Sequence, residues 1–285
     1  MNLGQLRKCI YGIFEKASLP PVTALPLMAD RSLFRIRRVI ERSASQPSAK
    51  NLILTQSQQR ELRSEGYCRI DSFVSAEICA EWVAKIDQIM TNHPDWIRDA
   101  PGSDRRIFGV DRVSLGLGEF GANPQLLDLA AWYLGGLAIN LATLAARLDP
   151  STDGLGSGGS WHRDANTPQF KCMVYLTDVN DIEDGAFQIV PCSHRLMRVL
   201  RANAGRPQGS LSTRWENEEI LAKGMVRETL TGAAGTLLIF DSSALHRGAP
   251  LLRGRRYALT NYYYPASVDR AVLEEHFGVL PSGAR

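Results

Sequence analysis

Hydrophobic positions fall into two regimes along this chain, helical spacing first and short β-rich runs afterwards. From Thr55, a cap residue followed by helix formers reads as a helix ending near Gly66. Tyr67 to Val74 alternates loosely, as a strand would. Ser75 then opens a helix through about Asn92, with Ile78, Trp82, Val83, Ile86 and Met90 on one stripe. A further helix spans Pro124 to Leu134, with proline in its first turn and Gly135 as its stop. Beyond Gly154 the pattern changes to Phe170–Thr177, Ala186–Val190, Met225–Leu230, Thr236–Phe240 and Arg256–Tyr264, each bounded by turn residues. Helices followed by strands predict a mainly β sandwich or barrel buttressed by N-terminal helices.

The uncharged run Leu129 to Ala146 sits at the lower edge of membrane-span length, but Gly135-Gly136, Asn140 and Thr143 interrupt it. It reads as a buried helix end followed by a buried strand. The first 50 residues are the basic part of the chain, with Arg31, Arg35, Arg37, Arg38 and Arg42 around Leu33, Phe34, Ile36, Val39 and Ile40. This amphipathic helix is expected to pack on the domain with its arginines solvated; a weak membrane-surface contact through residues 31–44 stays open. Residues 51–285 are expected to form one domain, with 195–231 as a lid or insert over the barrel mouth.

Composition adds exclusions. The net charge is +3 over 285 residues, a weak basic excess for a general nucleic-acid binder, so none is expected as partner. Five cysteines with no CxxC pair resemble neither a disulfide framework nor a zinc ribbon, and a cytoplasmic setting is expected.

Five histidines are available as ligands. In an extended strand, residues two apart face one side, so a His-x-Asp triplet can present an imidazole and a carboxylate to one cation. His93-Pro-Asp95 follows a helix and reads as a helix-stop turn, whereas His162-Arg-Asp164 follows a Gly-rich loop and precedes a strand. His246 leaves the strand Gly235–Phe240 through a turn, and Arg255-Arg256 heads the last strand. Two histidines and one carboxylate form the facial set of non-haem Fe(II) oxygenases, and an arginine inside the barrel can clamp a keto acid's carboxylate. A zinc site from Cys172, Cys192 and His194 is the weaker alternative, His194 reading as a turn-bonding residue. Tyr262, Tyr263 and Tyr264 read as core, with one ring lining the channel, and Arg247 as a residue facing substrate.

The order WHRD, FKCMVYLTDV, EDGAFQIVPCSHR, then the distal LH and RRYAL, resembles the phytanoyl-CoA dioxygenase-type branch of Fe(II)/2-oxoglutarate oxygenases over roughly Tyr67 to Pro265. The resemblance implies a double-stranded β-helix (jelly-roll, cupin-like) core with iron on His162, Asp164 and His246. It implies 2-oxoglutarate on Arg256, with Arg255 as runner-up, and O2 as the third reactant. The expected reaction hydroxylates a small, anionic metabolite such as a sugar, lipid-linked sugar, acyl or amino-acid derivative, releasing succinate and CO2. Departures from the family are Cys192 for the glycine of Pro-Gly-Ser-His, Gly248 for a serine, and Val174 for a tryptophan near the keto acid. A metal-binding jelly roll without turnover, or another cupin-type metalloenzyme, stays open.

Overall fold

The computed structural model describes residues 27–36, 52–100, 104–150, 159–203 and 213–281. Two antiparallel sheets face each other. The major sheet has seven strands: β1 (Tyr67–Ile70), β2 (Arg98–Ala100), β3 (Asp104–Phe108), β4 (Ala138–Leu148), β6 (Phe170–Tyr175), β10 (Leu237–Asp241) and β12 (Arg256–Pro265). Their order is β1-β10-β6-β12-β4-β3-β2. The minor sheet runs β8-β5-β11-β7-β9, from β5 (Trp161–His162), β7 (Phe187–Ile189), β8 (Arg214–Trp215), β9 (Glu228–Leu230) and β11 (His246–Gly248).

Pleating sorts the side chains of the major sheet. On β6, Phe170, Cys172 and Val174 join the main core, while Lys171, Met173 and Tyr175 face the other sheet. On β10, Leu237 and Ile239 point to the core, and Leu238 and Phe240 point inward. Successive residues of a strand take opposite faces, so one continuous apolar run supplies both a helix-packed core and a barrel lining.

The outer face of the major sheet is covered by helices α1 (27–36), α2 (Gln56–Glu65), α3 (Ala76–Asn92) and α5 (Pro124–Leu134). A capping box at α2 uses Thr55 and Gln58, an arrangement that satisfies two otherwise orphaned backbone N–H groups. Asn123 caps α5 and Gly135 ends it at φ +79°, so the helix matches its expected span. On α3 the buried stripe is Cys79, Trp82, Ile86 and Met90; Ile78, expected inside, is 42% exposed because it lies one position off that face. Leu129–Ala146 divides into the end of α5 and the buried strand β4, and no helix among the described residues is long and apolar enough to cross a membrane.

Elements not foreseen include β2, β3, α4 (Leu115–Gly121) and α8 (Arg270–Phe277). The stretch 195–231 holds α6 (Leu196–Asn203), β8, α7 (Asn217–Ala222) and β9, and β8 and β9 form the two edges of the minor sheet. Of the amphipathic segment 31–44, only residues up to 36 are described. There the expectation of solvated arginines fails at Arg31, which is 7% exposed and donates to the backbone carbonyls of Asn166 and His194, both at 2.6 Å.

Candidate active site

Strand pairing brings the separated histidines together. β11 pairs with β5 in the register His246–His162, which places the two rings 4.4 Å apart. Asp164 lies in the turn after β5, its N–H donating to Ser242 O at 3.0 Å. Its Oδ1 stands 3.8 Å from His162 Nε2 and its Oδ2 3.7 Å from His246 Nε2. One ligand atom from each residue falls within 4.8 Å of the others, the only such grouping of three found among the described residues.

Hydrogen bonds fix which nitrogens point at this gap. His162 Nδ1 donates to Ser160 O at 2.7 Å and His246 Nδ1 to Ala244 O at 2.9 Å, so each Nε2 keeps its lone pair. Burial pushes both imidazoles down, His246 to about 3 with help from His162, while Asp164 opposes the shift in each. Both are neutral at pH 7. Burial alone would raise Asp164, but Lys171, His246 and His162 outweigh it and hold the carboxyl below its usual range. Two neutral nitrogens and one carboxylate, with no thiolate nearby, are the donor chemistry of a facial iron site.

From these residues a cavity of about 100 Å³ runs between the sheets, past Met173, Phe187, Ala258 and Thr260 to Arg256. Arg256 is 7% exposed, donates to Gly185 O and leaves its buried Nε without a partner. An orphaned, buried guanidinium N–H on a pocket wall fits a carboxylate. Burial lowers Arg256, opposed by Tyr175 and Asp104. Arg255, its neighbour, faces outward and pairs with Asp149 at 2.6 Å.

Two expectations change, at Arg247 and Val174, and the weaker zinc alternative finds no site among the described residues. Arg247 does not line the cavity; it lies over the Trp161 ring at 4.9 Å and donates to Gln188 at 2.8 Å, because the pleat turns it away from His246. Val174 belongs to the outer core, and the aromatic near Arg256 is Tyr175, its ring 5.9 Å from the guanidinium carbon. Cys172 and Cys192 do not converge: Cys172 is in the outer core, and Cys192 donates its thiol to Glu65. His93 caps α3, as the helix stop read for it requires, and stacks on Trp96 at 3.8 Å. Of the tyrosines, Tyr262 lines the cavity and Tyr263 sits in the core.

Two cavity cations are not announced by the residue pattern. Lys171 Nζ lies 2.6 Å from Asp164 Oδ2 and 3.7 Å from the Tyr262 ring centre, 6% exposed. Arg106, on β3, pairs with buried Asp104 at 2.6 Å. Lys171 is a single polar position in an apolar strand, and its signal is an inward parity shared with Met173. Arg106 was hidden in the charged run Asp104-Arg-Arg, which reads as a loop until β4 pairs with it.

Comparison with known proteins identifies the family. The phytanoyl-CoA dioxygenase (PhyH) family model matches residues 62–252, well over half of the chain. The chain belongs to the phytanoyl-CoA dioxygenase family. It is therefore an enzyme of the iron- and 2-oxoglutarate-dependent oxygenase class. An ectoine dioxygenase of Bordetella parapertussis is 26% identical over 216 residues, covering 68% of this chain and 69% of that protein. Two solved structures share the fold. EctD from S. alaskensis with bound Fe has a TM-score of 0.60 at 18% identity, covering 78% of this chain and 81% of its own. The epimerase SnoN, in complex with Fe3+, alpha ketoglutarate and nogalamycin RO, has a TM-score of 0.56 at 17% identity, covering 81% and 91%. Within a PhyH-type jelly roll, the paired short strands β5 and β11 hold the histidines and the long strand β12 holds the arginine.

Proposed function

We propose that this oxygenase hydroxylates a C–H bond of a small anionic metabolite, with His162, Asp164 and His246 holding the iron and Arg256 holding the far carboxylate of 2-oxoglutarate. One observation carries the reading: three convergent donors and an orphaned buried guanidinium line one narrow cavity. When bound, iron with 2-oxoglutarate and O2 supplies the oxidising power, at the cost of converting the keto acid to succinate and CO2.

The chain's own residues do the positioning. The Nδ1 hydrogen bonds lock each imidazole in the tautomer and orientation a ligand needs. Arg256 fixes the keto acid along the cavity, and Phe187, stacked on His246 at 5.4 Å, keeps that wall dry. Lys171 neutralises the carboxylate oxygen of Asp164 that faces it. Arg106 is balanced likewise by Asp104, which leaves Arg256 as the cavity cation with no ion pair among the described residues, the one placed to meet an anion.

The test is an anaerobic titration. Fe(II) followed by 2-oxoglutarate is expected to give a visible absorption band, and Arg256→Gln to raise the half-saturating 2-oxoglutarate concentration by about tenfold or more, the loss of a charge-assisted pair. Aerobic incubation with pools of carboxylated and phosphorylated metabolites is expected to release succinate together with a product one oxygen atom heavier. An unchanged half-saturation in Arg256→Gln refutes the arginine assignment. Succinate release coupled to a product without added oxygen refutes hydroxylation.

A further inference from the structure

Behind the iron-site loops, on the outer face of the major sheet, lies a second cavity of about 580 Å³ that shares no lining residue with the first. The strand pleat separates them: Phe240 faces the barrel, and Asp241, next along β10, faces this rear cavity. Its volume lies in the range of small-molecule sites, roughly 300–1,000 Å³.

The cavity is built for negative charge on an apolar body. Arg31, Arg35, Arg63 and Arg195 line it, against a single carboxylate, Asp241. That carboxylate is already served by neutral donors: Tyr133 Oη at 2.8 Å, Ser243 N at 2.8 Å and Gln169 N at 3.2 Å. Arg31, Arg35 and Arg195 form no ion pair among the described residues. Arg31 is the telling residue. It is more than nine-tenths buried, uses Nε and Nη1 on backbone carbonyls, and leaves Nη2 buried with no partner. A buried cation with an unmet N–H costs free energy unless a ligand supplies the acceptor. The apolar part of the lining combines Phe34, Trp132 and Tyr133 with Leu134, Pro168 and Leu196, and Arg63 stacks 4.0 Å above the Trp132 ring.

We infer that this rear cavity is a second binding site, separate from the oxidation site, for a small amphiphilic anion: a phosphate or carboxylate carried on a flat apolar body. The anionic group meets Arg31 Nη2 and the rim guanidiniums, and the body lies against Trp132 and Tyr133. The inference does not depend on the proposed reaction.

Because Arg31 also clamps two backbone carbonyls, the test uses the exposed rim arginines, whose replacement leaves the fold intact. Calorimetric titration of the full chain with phenyl phosphate is expected to show one site, and inorganic phosphate and phenol are each expected to bind at least about tenfold more weakly. Arg35→Glu and Arg195→Glu are each expected to weaken phenyl phosphate by about tenfold or more, as loss of a charge-assisted contact does. Lys171→Met and Arg256→Gln, which alter the barrel cavity, are expected to leave its affinity within about twofold. No binding at millimolar phenyl phosphate, or binding indifferent to both rim substitutions, overturns the inference. Loss in Lys171→Met or Arg256→Gln with the rim variants unaffected assigns the probe to the barrel and overturns it equally.

Discussion

The two sheets differ in how they hold themselves together. The major sheet has strands of 11 and 10 residues, β4 and β12, paired along nearly their whole length. No strand of the minor sheet exceeds three residues, yet this sheet carries both histidines. Ladder hydrogen bonds and apolar burial suffice for the first. The second depends on side chains that tie its turns together, Arg163, Ser193 and Gln188 among them. The frame is thus a stability element and the short sheet a precision element, and substitutions in each are expected to fail differently.

The sharpest contrast is a pair of deletions. His246→Ala on β11 is expected to abolish iron binding and succinate formation while the protein still unfolds cooperatively. Leu259→Ala, fully buried on β12, is expected to cost about 2–5 kcal/mol of stability, the usual range for a core truncation. Its iron-binding stoichiometry at low temperature is expected to stay the same. Denaturant melts and iron titrations on both variants check this. A Leu259→Ala protein that folds well but binds no iron would erase the distinction between frame and site.

Acid is expected to act on the short sheet selectively. His246 titrates near 6.5 when unfolded and about 3 when folded, so between those values the unfolded chain binds the proton and the native one does not. Stability is then full above pH 6.5 and falls as pH drops toward 3. For His246 alone, the loss between pH 6.5 and 4 is on the order of 3 kcal/mol. His162 and Asp164, also held low, add in the same direction. Urea melts of the metal-free protein at pH 7, 6, 5 and 4 measure it. In His246→Ala the slope is expected to flatten; an unchanged slope places the acid sensitivity elsewhere.

How much of this could be read from the residues follows the same division. Runs such as Phe170–Tyr175 and Leu237–Asp241 announce themselves because both faces are buried, and the helices announce themselves through Thr55, Ser75, Asn123 and Gly135. Strands of two or three residues have no periodicity to detect. β5 and β11 were legible only through their histidines and the family resemblance, and β8 stayed hidden inside a stretch that reads as a lid. The pairing of His246 with His162 is a tertiary fact, as is the encounter of Lys171 with Asp164, since nothing local specifies which strands will be neighbours. Arg31 was misjudged for the opposite reason: an arginine on an amphipathic helix is usually solvated, and only the approach of the Asn166 and His194 turns buries this one.

Arg163 offers the finest test of the idea that polar ties, more than ladders, hold the metal site. It stands between His162 and Asp164, 1% exposed, with Trp215 beneath its guanidinium at 5.1 Å. Its Nη1 reaches the carbonyls of Ser193 and Ser243, so one side chain joins the turn bearing Asp164 to the turn before His246 and the turn after β7. Arg163→Met keeps much of the apolar stem on Trp215 and removes the joins together with the charge above that ring. Supporting contacts of this kind typically change metal affinity by about 10- to 100-fold, so iron affinity is expected to fall within that range. The half-saturating 2-oxoglutarate concentration at saturating iron is expected to stay near the wild-type value, because Arg256 sits on the long strand. A drop in 2-oxoglutarate affinity as large as the drop in iron affinity would mean that the two sheets move as one body, and that the contrast between them lies in strand length alone.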